Sequence, residues 1–233
     1  MKKILFAAAA IAALFASCDK NDETINSVIP EAADGARIAI TLTGASDTET
    51  RAFFDTTAKA EAWESSLSSL SVFAFDKGGT LIVRRDFSSA ELASKSATFA
   101  LPKSTAGTEC SFYAVANYDA SSAKTRAALT ALVENSAATY NGTFAEVSTA
   151  AKRSGGFVMS GSVTKTVGAV NTTTSVGITL KRTVAKVAVQ TTVDPSFANK
   201  YSGTLAINSV KLSKAASQSL VVAGTPTPGT MTF

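Results

Sequence analysis

Histidine is absent from the sequence, and cysteine occurs only twice in 233 residues. Without histidine the chain has no Ser-His or Cys-His nucleophilic pair, and it lacks the imidazole ligands that many protein metal sites use. The two cysteines are Cys18 and Cys110, and no Cys-x-x-Cys motif is present. A glycine-rich phosphate loop after a strand is also missing. We therefore expect a protein that is not an enzyme and that has no catalytic, metal or cofactor site.

Charge of either sign is sparse. The chain has 22 Lys and Arg residues against 18 Asp and Glu, which gives a net charge of +4. Basic residues are scattered singly or in pairs, such as Arg84-Arg85 and Lys181-Arg182. A nucleic-acid-binding face needs a basic cluster with interleaved aromatic side chains. We therefore expect no nucleic-acid partner.

The first seventeen residues have the pattern of a lipoprotein signal peptide. Lys2 and Lys3 precede an apolar run from Ile4 to Phe15, which is too short to span a bilayer. The run leads into Leu-Phe-Ala-Ser-Cys18, which resembles the lipobox of bacterial lipoproteins. This predicts that residues 1–17 are removed and that Cys18 carries diacylglycerol, with a further acyl chain such as palmitate strengthening the anchor. An ordinary cleaved signal with an incidental cysteine is the alternative.

Residues 18–36 are predicted to form an acidic tether next to the lipid. Asp19 to Thr24 is polar and acidic and has no hydrophobic periodicity, as in flexible linkers. The stretch also resembles the acidic segment that directs lipoproteins to the surface of Bacteroidetes-type bacteria. The expected location is therefore the cell surface, with the lipid on Cys18 held in the outer membrane.

Beyond residue 36, short segments of strand-like alternation are separated by turn signals. Short helices are predicted over 58–66, around Trp63, and over 123–135, with Ser122 as the cap. The predicted fold is all-β, an antiparallel Greek-key β-sandwich with one or two short helices. The predicted strands are 37–43, 70–75, 80–83, 96–101, 109–117, 158–160, 163–167, 175–193, 204–212 and 218–222.

The same alternation predicts which side chains form the core. In the strand 109–117, Cys110 falls on one face with Phe112, Ala114 and Ala116. This pattern indicates that the Cys110 thiol packs in the core and is not a nucleophile. The residues predicted to be mostly buried are Val72, Phe73, Phe112, Ala114, Val115 and Met159.

Several segments follow one another in an order that resembles a known family. They are Thr50-Arg51-Ala52, Leu70 to Gly79 (Leu-x-Val-x-x-Phe, then Asp-x-Gly-Gly), Phe112 to Asn117, Phe157 to Gly161, and Leu180 to Val187. Behind a lipobox, this order is similar to that of the Bacteroidetes-type fimbrillins, the lipoprotein-derived subunits of type V pili. The resemblance covers most of residues 18–193. Each motif alone is weak evidence for the family, and the resemblance depends on the order and spacing of all of them.

The resemblance implies a mechanism. Fimbrillins are exported as lipidated precursors with two transthyretin-like β-sandwich domains, and an arginine-specific protease removes the first strand. A strand of a neighbouring subunit then fills the groove by strand addition. In this sequence the scissile bond would be Arg51-Ala52, and the removable strand would be 37–43. The side chains whose loss opens the groove would be Ile38, Ile40 and Leu42.

The predicted domains follow from this comparison. Residues 37–178 form the N-terminal fimbrillin sandwich, with 37–51 as its removable strand and loop, and 179–233 begin a second β domain. Only about forty residues follow Val193, and two or three strands cannot close a sandwich core. The second domain is therefore expected to be incomplete, as in a truncated reading frame or a short variant.

The predicted function is a structural subunit of a cell-surface fimbria that contributes to cell adhesion, with other fimbrial subunits and an arginine-specific protease as partners. The alternative is a surface-exposed glycan-binding lipoprotein with a β-sandwich fold. Sugar sites usually present aromatic platforms, whereas this chain has one Trp and four Tyr residues. An enzyme that uses Glu61 and Glu64 as paired carboxylates is weaker still. Three residues apart on an Ala- and Ser-rich helix, they indicate a solvated face.

Overall fold

The computed structural model describes residues 35–44, 65–134, 156–184 and 193–201, and short stretches between 203 and 232. The signal peptide, Cys18, most of the tether, the Arg51-Ala52 bond and the predicted helix around Trp63 lie outside the described residues. Residues 185–192 of the predicted strand 175–193, and most of 204–212, also lie outside them. These assignments stay predictions.

The described part of the chain consists mainly of short strands. The strands are β1 (Ala36–Thr43), β2 (Leu70–Phe75), β3 (Leu81–Asp86), β4 (Ser96–Leu101), β5 (Glu109–Ala116), β6 (Val133–Glu134), β7 (Met159–Thr166), β8 (Thr173–Thr179), β9 (Lys181–Arg182), β10 (Ala215–Ala216), β11 (Ser219–Leu220) and β12 (Met231–Thr232). The helices are α1 (Ser89–Ser94), α2 (Arg126–Thr130) and α3 (Phe197–Lys200), with a 3-10 turn at Lys103–Thr105. The prediction of an all-β fold with only short helices is confirmed.

Two sheets make the sandwich. The five-stranded sheet has the order β3-β2-β5-β7-β9 and is antiparallel throughout. The three-stranded sheet has the order β4-β1-β8, in which β1 pairs antiparallel with β4 but parallel with β8. Two small antiparallel ladders, β6-β11 and β10-β12, are also present. Among the described strands, the β1-β8 pair is the one departure from the predicted antiparallel pairing. A parallel pair needs a long connection, which residues 44–172 supply.

The core lies between the two sheets. β1 contributes Ile38 and Ile40, β4 contributes Phe99, and β8 contributes Ile178, all of them buried. The residues that meet them from the five-stranded sheet are Leu70, Val72, Ala74, Phe112, Ala114, Ala116 and Met159. All six side chains that were predicted to be buried are at most 1% exposed. Val72, Phe112, Ala114 and Met159 belong to this core, whereas Phe73 and Val115 are buried on the other face of the five-stranded sheet.

The outer face of the five-stranded sheet is also covered. Phe73 and Phe75 on β2 and Val115 on β5 point to this side, where Leu129 of α2 packs against them. The other buried members of this outer cluster are Ala120, Ala123, Val158, Val221 and Val222. Because both of its faces are buried, β2 is apolar along most of its length and is covered at every position.

Helix α2 differs from the predicted helix 123–135. Its N-cap is Thr125, whose side-chain oxygen accepts a hydrogen bond from the Ala128 N–H, and the predicted cap Ser122 precedes it in the chain. The helix ends at Thr130, because the chain continues into β6, which pairs with β11. Within the predicted helix range 123–135, Leu129 is fully buried but Val133 is 44% exposed.

Other strand and helix boundaries also differ from the predicted ones. The two predicted strands 158–160 and 163–167 form one strand, β7, since Gly161 continues the ladder with β5. The predicted strand 175–193 ends at Thr179, and the chain then crosses to the other sheet as β9. Helix α1 was not predicted, although Ser88 and Glu91 form a capping box at its start.

Candidate functional site

The candidate site is the space that β1 occupies between β4 and β8, which we call the β1 slot. Along one side, Ile38 lies opposite Phe99 and Ile40 opposite Ala97 in the antiparallel ladder with β4. Along the other side, β1 runs parallel to β8 from Arg37 to Thr43. β1 is therefore the middle strand of its sheet, with backbone partners on both sides.

The side chains of β1 alternate strictly between core and surface. Ile38, Ile40 and Leu42 are 0–3% exposed and point into the core, and Ala36 shares this face. Arg37 and the threonines at 41 and 43 are exposed on the other face. The three residues predicted to fill the groove are thus the inward row of β1. Their removal is a separate matter, which stays a proposal.

The C-terminal end of β1 is held at several points. The Leu42 N–H donates to the Lys95 carbonyl at 2.9 Å, and the Leu180 N–H donates to the Thr43 carbonyl at 2.8 Å. Gly44 then turns the chain with φ +85°, and a Cβ atom there would lie only 2.6 Å from the Leu180 carbonyl oxygen. Only glycine suits this backbone conformation and this close approach. The chain therefore leaves β1 at a fixed point and enters the segment that contains Arg51.

The chain is fixed again where it re-enters the described structure. Asn117, at the end of the Phe112-to-Asn117 motif, donates through Nδ2 to the Ser66 and Phe157 carbonyls, both at 2.8 Å. Its Oδ1 accepts from the Ser68 N–H and hydroxyl at 2.9 and 3.0 Å. The sequence analysis quoted Asn117 in a motif but gave it no role. The sequence offered one signal, an asparagine at the end of a buried strand.

Both ends of the segment 45–64 are therefore fixed, the first at Gly44 and the second at Ser66 and Ser68, which Asn117 binds. A cut at Arg51 would separate β1 from the rest of the chain covalently, whereas β2 would stay anchored through Ser66 and Ser68. The sequence alone predicted the Arg51 loop, but it could not show that both ends of this segment are tied to the fold. Cys18, Arg51 and Ala52 themselves lie outside the described residues.

The thiol of Cys110 lies fully buried in the core between the sheets. Burial raises the pKa of the Cys110 thiol, which keeps it protonated, in agreement with a packing role. Within the described ranges, no group of three or more His, Cys, Asp or Glu residues is placed to hold a metal ion. In the same ranges, no helix has the length and apolar character that a membrane crossing requires.

A cleft of about 320 Å³ with both polar and apolar lining residues lies beside the end of β3. Its wall includes Tyr118 and the side chains of Arg84 and Asp86, which form an ion pair at 2.8 Å. The Ser71 hydroxyl donates to the same Asp86 carboxylate. These groups satisfy one another, so their arrangement is explained by the pairing of β2 with β3.

The chain was compared with known proteins by sequence and by structure. The model of the major fimbrial subunit protein (FimA) family matches residues 36–232. No match is found among curated protein sequences. The matched range includes nearly the whole region downstream of the predicted tether, and it confirms the resemblance drawn from the motifs.

Three solved structures of fimbrial proteins are among those that the chain resembles. A fimbrial assembly protein from Parabacteroides distasonis is 17% identical, with a TM-score of 0.42 over 64% of this chain and 53% of that one. The fimbrial anchor protein Mfa2 from Porphyromonas gingivalis is 15% identical, with a TM-score of 0.38 over 63% and 50%. The tip fimbrial protein Mfa3 of the same species, with C-terminal truncation, is 14% identical, with a TM-score of 0.38 over 64% and 48%.

The present chain therefore spans about half the length of these solved structures. The family itself rests on the sequence match, which begins at the first residue of β1 and ends at the last residue of β12. The chain belongs to the major fimbrial subunit protein (FimA) family.

Proposed function

We propose that this protein is a structural subunit of a cell-surface fimbria that contributes to cell adhesion. It is exported as a lipoprotein anchored through Cys18, processed between Arg51 and Ala52, and assembled when β1 is exchanged for a strand of another subunit. The observation that carries the proposal is the position of β1. It is the middle strand of its sheet, and it joins the rest of the fold through the segment that contains Arg51.

The energy of burial indicates that another strand must replace β1 if β1 leaves the fold. Burial of a large apolar side chain stabilises a fold by about 1.5–3 kcal/mol, so Ile38, Ile40 and Leu42 together contribute roughly 5–9 kcal/mol. A typical domain is stable by only about 5–15 kcal/mol in total. A body with an empty β1 slot would therefore be close to unfolding, and a strand of similar apolar character must take the place of β1.

The slot defines what such a strand must do. With β1 removed, β4 and β8 present two facing rows of unpaired backbone groups. An incoming strand that keeps the register of β1 runs antiparallel to β4 and parallel to β8, and every second side chain enters the core. The unpaired edges of β4 and β8, with the apolar pockets left by the side chains of β1, would accept only a strand with the matching alternation. These features favour assembly with another subunit.

A test in cells separates the steps of the proposal. Cells that carry Arg51→Ala should accumulate an acylated precursor on the membrane, and filaments that contain this subunit should be lost. Cells that carry Cys18→Ala should lose the acylated peptide, as measured by mass spectrometry of the membrane fraction. Arg126→Ala serves as the matched control, since Arg126 lies in α2, away from the β1 slot. Normal filaments from Arg51→Ala cells would refute processing as the trigger.

A further inference from the structure

A second cleft, of about 410 Å³, lies on the outer face of the five-stranded sheet, beside the turn between β2 and β3. We call it the Arg126 cleft. Its walls are the turn residues 78–80, Tyr113 of β5 and residues of α2. Tyr113 packs against the outer cluster, whereas β1 packs against the inner face of this sheet. The volume lies within the roughly 300–1,000 Å³ of small-molecule sites, so a ligand of one sugar ring can enter.

Hydrogen bonds hold the walls of the Arg126 cleft in place. In the turn, the Thr80 N–H donates to the Asp76 carboxylate at 2.8 Å, and the Gly79 N–H donates to the Asp76 carbonyl at 3.0 Å. The Arg126 N–H donates to the Gly79 carbonyl at 2.9 Å, and Thr80 forms a β-bridge with Thr125. The turn and α2 are therefore joined to each other, and the cleft has its shape before a ligand binds.

The guanidinium group of Arg126 is half-buried in this cleft. It lies over Gly79, where a Cβ atom would be 3.5 Å from Nε and 3.7 Å from Nη2 of Arg126. No acidic side chain in the described part of the chain forms an ion pair with Arg126, whereas Arg84 pairs with Asp86. A guanidinium group binds a carboxylate through two parallel hydrogen bonds. The position of Arg126 therefore suits a ligand that carries a carboxylate.

The charges around the cleft favour an anionic ligand as well. Lys77 precedes the turn residues that line the cleft, and Lys124 precedes Thr125, which also lines it. Both lysine side chains are exposed. The carboxylate of Asp76, at the start of the turn, already accepts the hydrogen bond from the Thr80 N–H. A positive field at a cleft raises the local concentration of anions.

The other lining side chains present hydroxyl groups and one aromatic ring. Tyr113 lines the cleft with three threonines, Thr80, Thr125 and Thr130. The Tyr113 ring is held edge-to-face against Phe75 at a centroid distance of 5.7 Å, and no described residue forms a hydrogen bond with its hydroxyl group. Ala127 is the largest aliphatic side chain of the lining, so the cleft lacks the apolar pocket that anchors a peptide partner. A sugar offers hydroxyl groups, and C–H groups that suit the negative face of an aromatic ring.

We propose that the Arg126 cleft binds a sugar residue that carries a carboxylate, such as a hexuronate. The Arg126 guanidinium binds the carboxylate, and the Tyr113 hydroxyl and the threonines bind the hydroxyl groups of the ring. Binding does not depend on the cut at Arg51, because the cleft and β1 lie on opposite faces of the five-stranded sheet. One such contact is weak, but a filament would present the cleft on each copy of the subunit and so gain avidity. The gain in avidity, unlike the site, rests on the proposed function.

Titration of the uncut soluble chain, residues 19–233, with sodium glucuronate tests the site by two-dimensional amide NMR. The amide signals of Gly78, Gly79 and Thr80 should shift and saturate at millimolar concentrations. Glucose lacks the carboxylate and acetate lacks the ring, so each should bind about tenfold more weakly. Equal binding of glucose would show that the guanidinium does not recognise the ligand, and equal binding of acetate would show that the ring is not recognised. Either result, or the absence of shifts at these amides, would overturn the proposal.

Variants of the cleft test the role of each group. Arg126→Gln should weaken glucuronate binding about tenfold, because it removes the charge and the paired donors. Arg126→Lys keeps the charge without the planar fork and should retain part of the affinity. Tyr113→Phe keeps the ring and should weaken binding about threefold. Lys165→Gln, which removes one positive charge from an exposed position of β7, is the matched control and should bind like the wild type.

The same spectra show whether each variant folds, since signals away from the cleft should stay at their wild-type positions. Unchanged binding by a folded Arg126→Gln chain would overturn the site. In cells, Arg126→Ala should leave filaments intact, but these filaments should no longer bind immobilised polygalacturonate. Arg126→Ala filaments that bind it like the wild type would contradict the sugar site and leave the proposed function standing. Normal filaments from Arg51→Ala cells would contradict the proposed function, whereas glucuronate binding by the uncut chain would still support the site.

Discussion

At the scale of single residues, two glycines allow β8 to contact both of its neighbours closely. A Cβ atom on Gly161 of β7 would clash with the Thr179 carbonyl oxygen, and Gly44 after β1 approaches the Leu180 carbonyl in the same way. The C-terminal end of β8, an edge strand of its own sheet, is thereby in close contact with β7 of the other sheet as well as with the end of β1. A sequence shows that a glycine is present, but not which backbone it approaches, because Leu180 lies 136 residues after Gly44 and Thr179 lies 18 residues after Gly161, in the other sheet. These two positions were therefore not predicted.

Phe112 tests the core directly. It is fully buried between the sheets, and Phe112→Ala should lower the free energy of unfolding by about 3–5 kcal/mol, because it removes apolar contacts and leaves a cavity. Urea unfolding of the soluble chain, followed by circular dichroism, measures this change. Thr98→Ala, at an exposed position of β4, should change stability by about 0.5 kcal/mol or less. Equal effects of the two substitutions would contradict the described core.

Asn117 combines a side-chain role with a backbone role. Its φ is +59°, a conformation that Asn and Gly adopt at lower cost than Ala. Asn117→Ala should lower the free energy of unfolding by about 3 kcal/mol, through lost hydrogen bonds and backbone strain. Asn117→Gly should recover about 1 kcal/mol of this loss, since it relieves only the strain. If Gly proved as damaging as Ala in urea unfolding, the backbone contribution would be absent.

At the scale of secondary-structure elements, the sequence could predict which segments form strands but not which strands pair with each other. The alternation in Arg37 to Thr43 gave both the strand and its buried row, because a half-covered sheet exposes every second side chain. The parallel pairing of β1 with β8 carries no local signal, since it depends on how the chain returns after residue 172. Helix α2 was predicted too long because Val133 and Glu134 were counted as helix, whereas they pair with a distant strand, β11.

Helix α1 gives a prediction on pH. Burial alone raises the pKa of Glu91, but hydrogen bonds from the Ser88 N–H and hydroxyl, with the nearby Arg85 charge, hold this pKa below its ordinary value. A carboxyl group whose pKa is lowered on folding stabilises the folded state at pH values above its pKa in the unfolded chain, which is about 4.3. This stabilisation is lost as the pH falls through the pKa of the folded state.

The difference in free energy of unfolding between the wild type and Glu91→Gln should therefore be largest near pH 7 and should shrink below about pH 4. Chemical unfolding at a series of pH values measures it. Ser88→Ala, which removes one hydrogen bond to Glu91, should reduce the same dependence in part. A difference that stays constant with pH would show that the Glu91 charge does not stabilise α1.

At the scale of the whole molecule, residues on both sides of the predicted domain boundary at 178/179 meet the same sheet. Lys181–Arg182 pairs with β7, and Val221 and Val222 are buried in the outer cluster with Phe73. The boundary itself stays a prediction. The molecule thus has one sheet buried on both faces and one sheet whose middle strand leads directly to the predicted processing site.

That arrangement is tested most directly by treating the soluble precursor, residues 19–233, with an arginine-specific protease. Mass spectrometry should identify a first cut between Arg51 and Ala52, and the peptide that ends at Arg51 should leave the body as oligomers appear. The body should keep its β-type circular dichroism, because Asn117 anchors the chain before β2. Arg51→Ala should abolish this cut and leave the other arginines as susceptible as before. A first cut at Arg126 or Arg153, with Arg51 intact, would contradict the exchange of β1.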